Sequence, residues 1–352
     1  MGVPKKPKVA ADPRLERAVA FENTGDANAA VQAYQDEIKA DPSFGLAYAG
    51  LGSLLLRVGR LKDAVPILKE AVRLLPTSPS PLGSLAMALL RLLRAPEARE
   101  YAKKLTELTP EALPAYRLLA DCCYIARDSK GIIDAYAAAH QALPTNAEVV
   151  FLLAKAMLNA NKNERTENML RSAFERIEPS ATLLGLLGDA YFRQSKLAEA
   201  EDALARSIAL DPNCQYSLMV LARIRSAEDK NEEASVLLEK LKPPLEPPAV
   251  VTLAQVRRRQ KREPEAERIL LEMIDSGQHL PDALAPARLV LGAMYEGQGR
   301  YDEAFEHYKA GNDAALARFD REGTRKLIDS LIDVYDAWKA PTYPRGDPTD
   351  VP

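Results

Sequence analysis

Prolines recur at a constant interval along the first half of the chain, and this interval limits what the chain can fold into. The prolines in phase stand at positions 42, 76, 110, 144, 179 and 212, and the first four are 34 residues apart. A fixed period of about 34 residues is typical of arrays of helical repeats. The spacing therefore predicts an all-α array, whereas a generic all-α bundle has no reason to keep such a period.

One unit, residues 45–76, shows how the period builds a pair of helices. Its first half places apolar or small residues at helical spacing, at Tyr48, Leu51, Gly52 and Leu55. Gly59 then permits a turn, and a second buried face follows with Ala64, Leu68 and Ala71. Because residues 52 and 64 are small, we expect the two helices to approach each other closely.

This pattern resembles the tetratricopeptide repeat (TPR) family. The same signature recurs at Leu184, Leu187, Gly188, Tyr191, Ala200, Leu204 and Pro212, and at Leu291, Gly292, Tyr295, Gly299, Ala304 and Tyr308. The resemblance covers about residues 11 to 312 and implies a right-handed α-solenoid of nine helix-turn-helix units. We place the units at residues 11–44, 45–78, 79–112, 113–146, 147–180, 181–214, 215–246, 247–284 and 285–312.

The predicted domain organisation has three parts. Residues 1–10 form a disordered basic tail, residues 11–339 form the TPR solenoid, and residues 340–352 form a proline-rich tail or linker. In the first unit Arg14 and Arg17 replace apolar residues, which indicates a solvated outer helix. At the other end, residues 324–338 predict a capping helix with one apolar stripe, made of Leu327, Leu331, Tyr335 and Trp338.

Composition narrows the possible functions. The net charge is −3 and the isoelectric point is about 5.9, so no global field attracts nucleic acid or anionic lipid. Three cysteines are too few for a disulfide framework and suit a reducing compartment. The longest apolar runs are far shorter than the roughly 18–20 residues that span a bilayer. We expect a cytoplasmic protein that binds neither nucleic acid nor membrane.

Motifs for catalysis are scarce. The histidines at positions 140, 279 and 307 have no metal-ligand partner at helical spacing, and Cys122–Cys123 fits small core residues. No phosphate-binding glycine loop occurs. We therefore expect no catalytic residue, no cofactor and no metal, and the chain is not predicted to be an enzyme. The basic run at 257–262 is either a solvated helix end or a contact for an acidic partner.

The resemblance also implies a binding groove. In TPR proteins the first helix of each unit lines the concave surface, and positions 2, 5, 9, 12 and 13 of the unit face the ligand. The second and third units then contribute a largely apolar stretch that includes Ala49, Ser53, Leu56 and Gly83. The candidate peptide-binding residues are Met87, Leu90, Arg117, Asp121, Tyr124, Phe151, Lys155, Asp189, Phe192, Arg193, Tyr216, Met219 and Arg223.

Aromatic residues interleaved with arginines are typical of binding hot spots. The alternative is that position 12 belongs partly to the core and that the charges are ordinary groove lining. Two known TPR subtypes do not match. The lysine and asparagine that clamp a terminal carboxylate at positions 5 and 9 are missing, and so is the asparagine ladder at position 6 of the glycosyltransferase-linked solenoids.

Residues 299–338 have a further resemblance, to the end of the TPR half of bacterial TPR–sulfotransferase fusions. The tail "KAPTYPRGDPTDVP" then resembles a connector to a catalytic domain that this sequence does not contain, so we expect no sulfotransferase activity from it. Three hypotheses stay open. The chain is a scaffold that binds an extended peptide or a partner protein, the substrate-recruiting half of a sulfotransferase, or a self-assembling structural element. The oligomeric state is left open.

Overall fold

The computed structural model describes residues 12–314, which belong to one compact unit, Met1–Leu316. After a short 3-10 helix, Pro13–Leu15, this part of the chain is entirely α-helical. The helices are α1 (Glu16–Thr24), α2 (Ala27–Ala40), α3 (Gly45–Arg57), α4 (Leu61–Leu74), α5 (Pro79–Arg91), α6 (Ala95–Leu108), α7 (Leu113–Ile125), α8 (Ser129–Ala142), α9 (Ala147–Asn159), α10 (Asn163–Ala173), α11 (Ala181–Arg193), α12 (Leu197–Leu210), α13 (Gln215–Ala227), α14 (Asn231–Glu239), α15 (Pro247–Arg259), α16 (Glu263–Asp275), α17 (Pro281–Gly297) and α18 (Tyr301–Ala314).

The helices pack in sequence as antiparallel hairpins, α1 with α2, α3 with α4, and so on to α17 with α18. Along most of the array, the first helix of one hairpin also contacts the first helix of the next, as in α9–α11–α13–α15–α17. Within the described residues, successive second helices make no comparable contact. The first helices therefore lie on the inner side of a curve, and the predicted all-α solenoid is confirmed.

The turn inside every hairpin uses the same backbone conformation. One of the first two residues after the first helix adopts a left-handed conformation, with φ between 55° and 81°, at positions 25, 59, 93, 127, 161, 195, 229, 261 and 299. The next N–H then donates to a carbonyl in the last turn of that helix, as from Arg60 to Leu55 and from Arg94 to Leu89, both at 2.9 Å. This arrangement satisfies carbonyls that the helix end leaves free.

Small residues bring the two helices of a hairpin together, as the sequence predicted. A Cβ atom on Gly52 would lie 2.5 Å from Cγ of Leu68, which is fully buried on α4. Two later hairpins also have glycine at the equivalent position, and an added Cβ would lie 2.7 Å from Leu204 at Gly188 and 2.7 Å from Tyr308 at Gly292. Glycine at these three positions therefore suits the large residue opposite, because an added side chain would force that facing side chain to move.

The seventh unit ends where the sequence predicted, because α15 begins at Pro247, but its second helix is short and the next unit boundary differs. α14 ends at Glu239, which leaves only nine residues in the second helix of the seventh hairpin. α17 begins at Pro281, whereas the predicted boundary between units lay after residue 284. Proline is accepted in the first turn of a helix because the N–H that it lacks would have no partner there. Pro281 therefore starts the ninth hairpin, and α17 reaches 17 residues.

In the first hairpin, the two arginines that replace apolar residues make contacts at the protein surface. The Arg14 guanidinium lies 3.5 Å from the ring centre of Phe44 and donates to Asp12. Arg17 pairs with Asp36 on α2 at 2.5 Å. Both arginines remain exposed. Three predicted segments lie outside the described residues: the tail at 1–10, the capping helix at 324–338 and the tail at 340–352. Most of the segment on which the sulfotransferase resemblance rests lies outside them too.

Candidate functional site

All the predicted groove residues lie on first helices, which line the inner side of the solenoid. α5 carries Met87 and Leu90; α7 carries Arg117, Asp121 and Tyr124; α9 carries Phe151 and Lys155; α11 carries Asp189, Phe192 and Arg193; and α13 carries Tyr216, Met219 and Arg223. The structure brings five of them, from α11 and α13, into one connected cluster. The others lie on neighbouring helices or belong to the core.

The centre of the cluster is Asp189, whose side chain is fully buried. Its Oδ1 accepts hydrogen bonds from Nε of Arg193 at 3.0 Å and from Nη1 of Arg223 at 2.9 Å. Its Oδ2 accepts from Nη2 of Arg193 at 3.1 Å and from the hydroxyl of Tyr216 at 2.8 Å. One carboxylate is therefore held by four donors from two helices, and this satisfies the rule that a buried charge must be paired.

The partners of Asp189 lower the pKa of its carboxylate by more than burial raises it. Burial by itself raises the pKa of Asp189, but Arg223, Arg193 and Tyr216 lower it further than burial raises it, so the pKa falls below its ordinary value. Burial, and then the charge of Asp189, raise the pKa of Tyr216 far above its usual range. At neutral pH the cluster therefore holds one negative and two positive side chains with a neutral tyrosine, and its net charge is +1.

Arg193 has a second function at the end of the preceding inner helix. Its Nη1 donates to the carbonyl of Leu158, near the end of α9, at 3.1 Å. Arg259, the last residue of α15, donates to the carbonyl of Ser226 on α13 in the same way. A cation at the C-terminal end of a helix is favourable because the free carbonyls carry partial negative charge. Arg193 thus joins two hairpins, and each of its three guanidinium nitrogens already donates to an acceptor of the protein.

Aromatic rings lie beside the basic groups of the groove. The guanidinium of Arg223 is 5.3 Å from the ring centre of Phe192, and Nζ of Lys155 is 5.7 Å from the ring centre of Phe151. Both rings are half-buried against the core, so they are held in place. A cation over an aromatic face is attracted by the ring quadrupole. These two pairs form mixed apolar and basic surfaces on adjacent helices.

The remaining candidates differ in their surroundings. Met219 is only 6% exposed and belongs to the core, whereas Met87 is 41% exposed. Leu90 packs partly against the core, and Asp121 is exposed. Arg117 pairs with Glu148 on the next inner helix. Glu148 is not among the predicted groove residues, although it occupies position 2 of its unit and the same register rule includes it.

A contact across the inner side joins hairpins that are far apart in sequence. The hydroxyl of Tyr124 on α7 donates to Asp282 in the first turn of α17. Nearby, Arg127 donates to the carbonyl of Asp313 at 2.5 Å and to that of Ala314 at 3.2 Å. The fourth and ninth hairpins therefore touch, and the helices between them curve around the groove. Sequence periodicity does not reveal such a contact, because it relates each unit only to its neighbours.

The cysteine and histidine side chains outside the Asp189 cluster are buried or partly buried in the described part of the chain. Burial raises the pKa of the Cys122 thiol to about 12, so this sulfur stays protonated and unreactive. Burial lowers the pKa of His140 and of His307, and His307 packs against Tyr295 with ring centres 5.3 Å apart. Across residues 12–314, no three histidine, cysteine or acidic side chains gather as a metal site. No helix of that region is long and apolar enough to cross a membrane.

Solved structures with a similar fold were found. They include YrrB, a TPR protein with an unusual peptide-binding site (16% identity, TM-score 0.42, covering 53% of this chain and 97% of that one). A tetratricopeptide repeat protein from Parabacteroides merdae shares 15% identity, with a TM-score of 0.43 and coverage of 69% and 97%. Human IFIT1 with m7Gppp-AAAA shares 15% identity, with a TM-score of 0.49 and coverage of 92% and 81%.

Among curated protein sequences, none matches this chain. The family model of the tetratricopeptide repeat matches residues 15–79 and residues 151–213. The first match spans the first two hairpins, and the second spans the helices that carry Phe151, Lys155, Asp189, Phe192 and Arg193. These two stretches therefore match the tetratricopeptide repeat by sequence, and hairpins of the same kind recur through residues 12–314.

Proposed function

We propose that this chain is a scaffold for protein–protein interaction that binds an extended segment of a partner protein on its inner side, along the fourth to seventh hairpins. The observation that supports this proposal most strongly is the cluster around Asp189. Two arginines and two aromatic rings are held there by hydrogen bonds and packing before any ligand arrives. A preorganised surface of this kind binds at a lower entropic cost than mobile side chains do.

The residue types also suit a peptide. Aromatic and arginine side chains dominate binding hot spots, because they bury large areas and form several hydrogen bonds. Phe151 and Phe192 offer apolar area on adjacent inner helices, and both are only half-buried by the protein itself. TPR proteins are generally non-catalytic scaffolds. The buried, protonated thiol of Cys122 is consistent with a binding role for this chain.

The proposal is tested by selecting short random peptides, displayed on phage, against the immobilised chain and measuring affinities by calorimetry. We expect Phe151→Ala and Lys155→Ala each to weaken the selected peptides by about 1–2 kcal/mol while helicity stays unchanged, because Lys155 is exposed beside Phe151. Phe305→Ala is the matched control, because Phe305 is 63% exposed on a second helix, away from the inner side. Selected peptides that bind both groove variants as well as they bind the unmodified chain would refute the proposed site.

A further inference from the structure

The two arginines of the Asp189 cluster are not equivalent. Arg193 uses Nε and Nη2 for Asp189 and Nη1 for the carbonyl of Leu158. Within residues 12–314, Arg223 donates one hydrogen bond, from Nη1 to Asp189. Its Nε–Nη2 edge is therefore left over for another acceptor, and the side chain is 29% exposed. That edge carries two parallel N–H bonds whose spacing matches the two oxygens of a carboxylate.

Asp189 and Phe192 fix the position and orientation of the Nε–Nη2 edge of Arg223. Asp189 anchors one end of the guanidinium at 2.9 Å, and the ring of Phe192 lies 5.3 Å from its central carbon. Tyr216 fills the remaining site on the same carboxylate, so Asp189 has no further capacity that could draw the second edge of Arg223 inward. The fold therefore already restricts the Arg223 side chain, so a ligand loses little affinity to the conformational entropy of ordering it.

The charge of the cluster selects among oxyanions. Two guanidinium groups and one carboxylate leave a net charge of +1, which one carboxylate of a ligand neutralises. A phosphate ester carries about −1.5 to −2 at neutral pH, and the cluster would leave it with excess negative charge in partly dry surroundings. The match therefore favours an aspartate or glutamate side chain over a phosphorylated residue.

We propose that Arg223 binds a carboxylate side chain of the partner segment through its Nε–Nη2 edge, and that Asp189 is the positioning residue that holds Arg223 for this task. This inference rests on the proposed function, since it names the ligand chemistry of the same groove. Arg225 on the same helix provides the contrast. Its guanidinium contacts Glu201, Glu228 and Glu233, so the protein itself already supplies its anionic partners.

The experiment uses the peptides selected against the whole chain. Each acidic position of a selected peptide is changed from Glu to Gln, and a phosphoserine is placed at the same position in a third version. We expect one position at which the Gln version binds about 10-fold to 100-fold more weakly than the Glu version, as loss of a charge-assisted pair predicts. In Arg223→Gln this ratio falls to near one, and in Arg225→Gln it is unchanged.

Two further variants separate binding from folding. Arg223→Lys keeps the charge but loses the forked edge, so most of the preference for Glu disappears while the circular dichroism spectrum is retained. Asp189→Asn frees Arg223 from its anchor, and we expect a smaller Glu-to-Gln ratio, which a loss of stability alone would not produce. Because the contact is ionic, the ratio also decreases as salt concentration rises.

The possible failures have different meanings. If peptides depend on Phe151 but bind equally in their Glu and Gln versions, this inference is wrong and the proposed function stands. If the phosphoserine version binds more tightly than the Glu version, the charge argument for a carboxylate is wrong. If no selected peptide depends on any residue of the groove, both the inference and the proposed function are refuted.

Discussion

The close approach of the two helices in the second hairpin gives a quantitative prediction for two glycines. Gly52 lies inside α3, where a Cβ atom would be 2.5 Å from both Cγ and Cδ2 of Leu68. Gly83 lies inside α5 of the next hairpin, where a Cβ atom would meet only Cδ2 of Leu105 at 3.5 Å. The first distance is a clash, and the second is an ordinary van der Waals contact.

Alanine at either position gains helix propensity, about 1 kcal/mol relative to glycine. Gly83→Ala is therefore expected to stabilise the protein by roughly that amount. Gly52→Ala gains the same propensity but adds overpacking against a fully buried leucine, a cost of about 1–3 kcal/mol. The propensity gain cancels between the two variants, so we expect Gly52→Ala to be less stable than Gly83→Ala by about 1–3 kcal/mol.

Urea unfolding followed by circular dichroism measures this difference, and the slopes of the two transitions confirm that the same part of the array unfolds. A second measurement identifies the clashing partner. In a Leu68→Ala background the facing side chain is gone, so Gly52→Ala should lose its penalty and become stabilising, with a coupling energy of about 0.5–3 kcal/mol. Equal stability of Gly52→Ala and Gly83→Ala would refute the packing explanation for this glycine.

Three other predictions concern the turns, the histidines and the contact across the groove. Leu93→Gly should stabilise the chain by about 1 kcal/mol in thermal unfolding, because Leu93 is 72% exposed and has φ of 59°. Burial and Arg176 lower the pKa of His140 below 6.5, so the unfolded chain binds protons more readily and stability falls as pH decreases through 6.5. His140→Gln should show a smaller fall in melting temperature over that change. Tyr124→Phe removes the bond to Asp282 and should enlarge the radius of gyration in X-ray scattering, whereas Tyr301→Phe should not.

The solenoid itself was predictable because its determinants repeat. Each hairpin needs apolar residues at helical spacing and a small residue where the helices meet, and these recur in phase along the sequence. The turns were only partly predictable. Gly59 indicated its turn directly, but Leu93 and Arg127 adopt the same left-handed conformation without a glycine to signal it. There the packing of the hairpin overrides the local cost of the backbone conformation.

The candidate site was predictable as a set of positions but not as a set of contacts. The register of the repeat selected Asp189, Arg193 and Arg223 as residues that face a ligand. It did not reveal that Asp189 is fully buried, or that Arg193 is occupied by the preceding helix. The contact between Tyr124 and Asp282 was beyond sequence reasoning, because it depends on the accumulated curvature of five hairpins.

The groove is chemically distinctive where equivalent positions of neighbouring hairpins carry opposite charge. Position 9 of the fourth to seventh hairpins holds Asp121, Lys155, Asp189 and Arg223, which alternate in sign. Each of these residues follows the previous one by one repeat, so each stands on the next inner helix. Inner helices that contact one another can pair such residues directly, and Asp189 and Arg223 do so at 2.9 Å. The hairpin core does not depend on position 9, because the helices of one hairpin meet at Gly52, Gly188 and their equivalents. Asp121 and Lys155 are exposed, so the proposed ligand preference can change at these two positions while the solenoid stays the same.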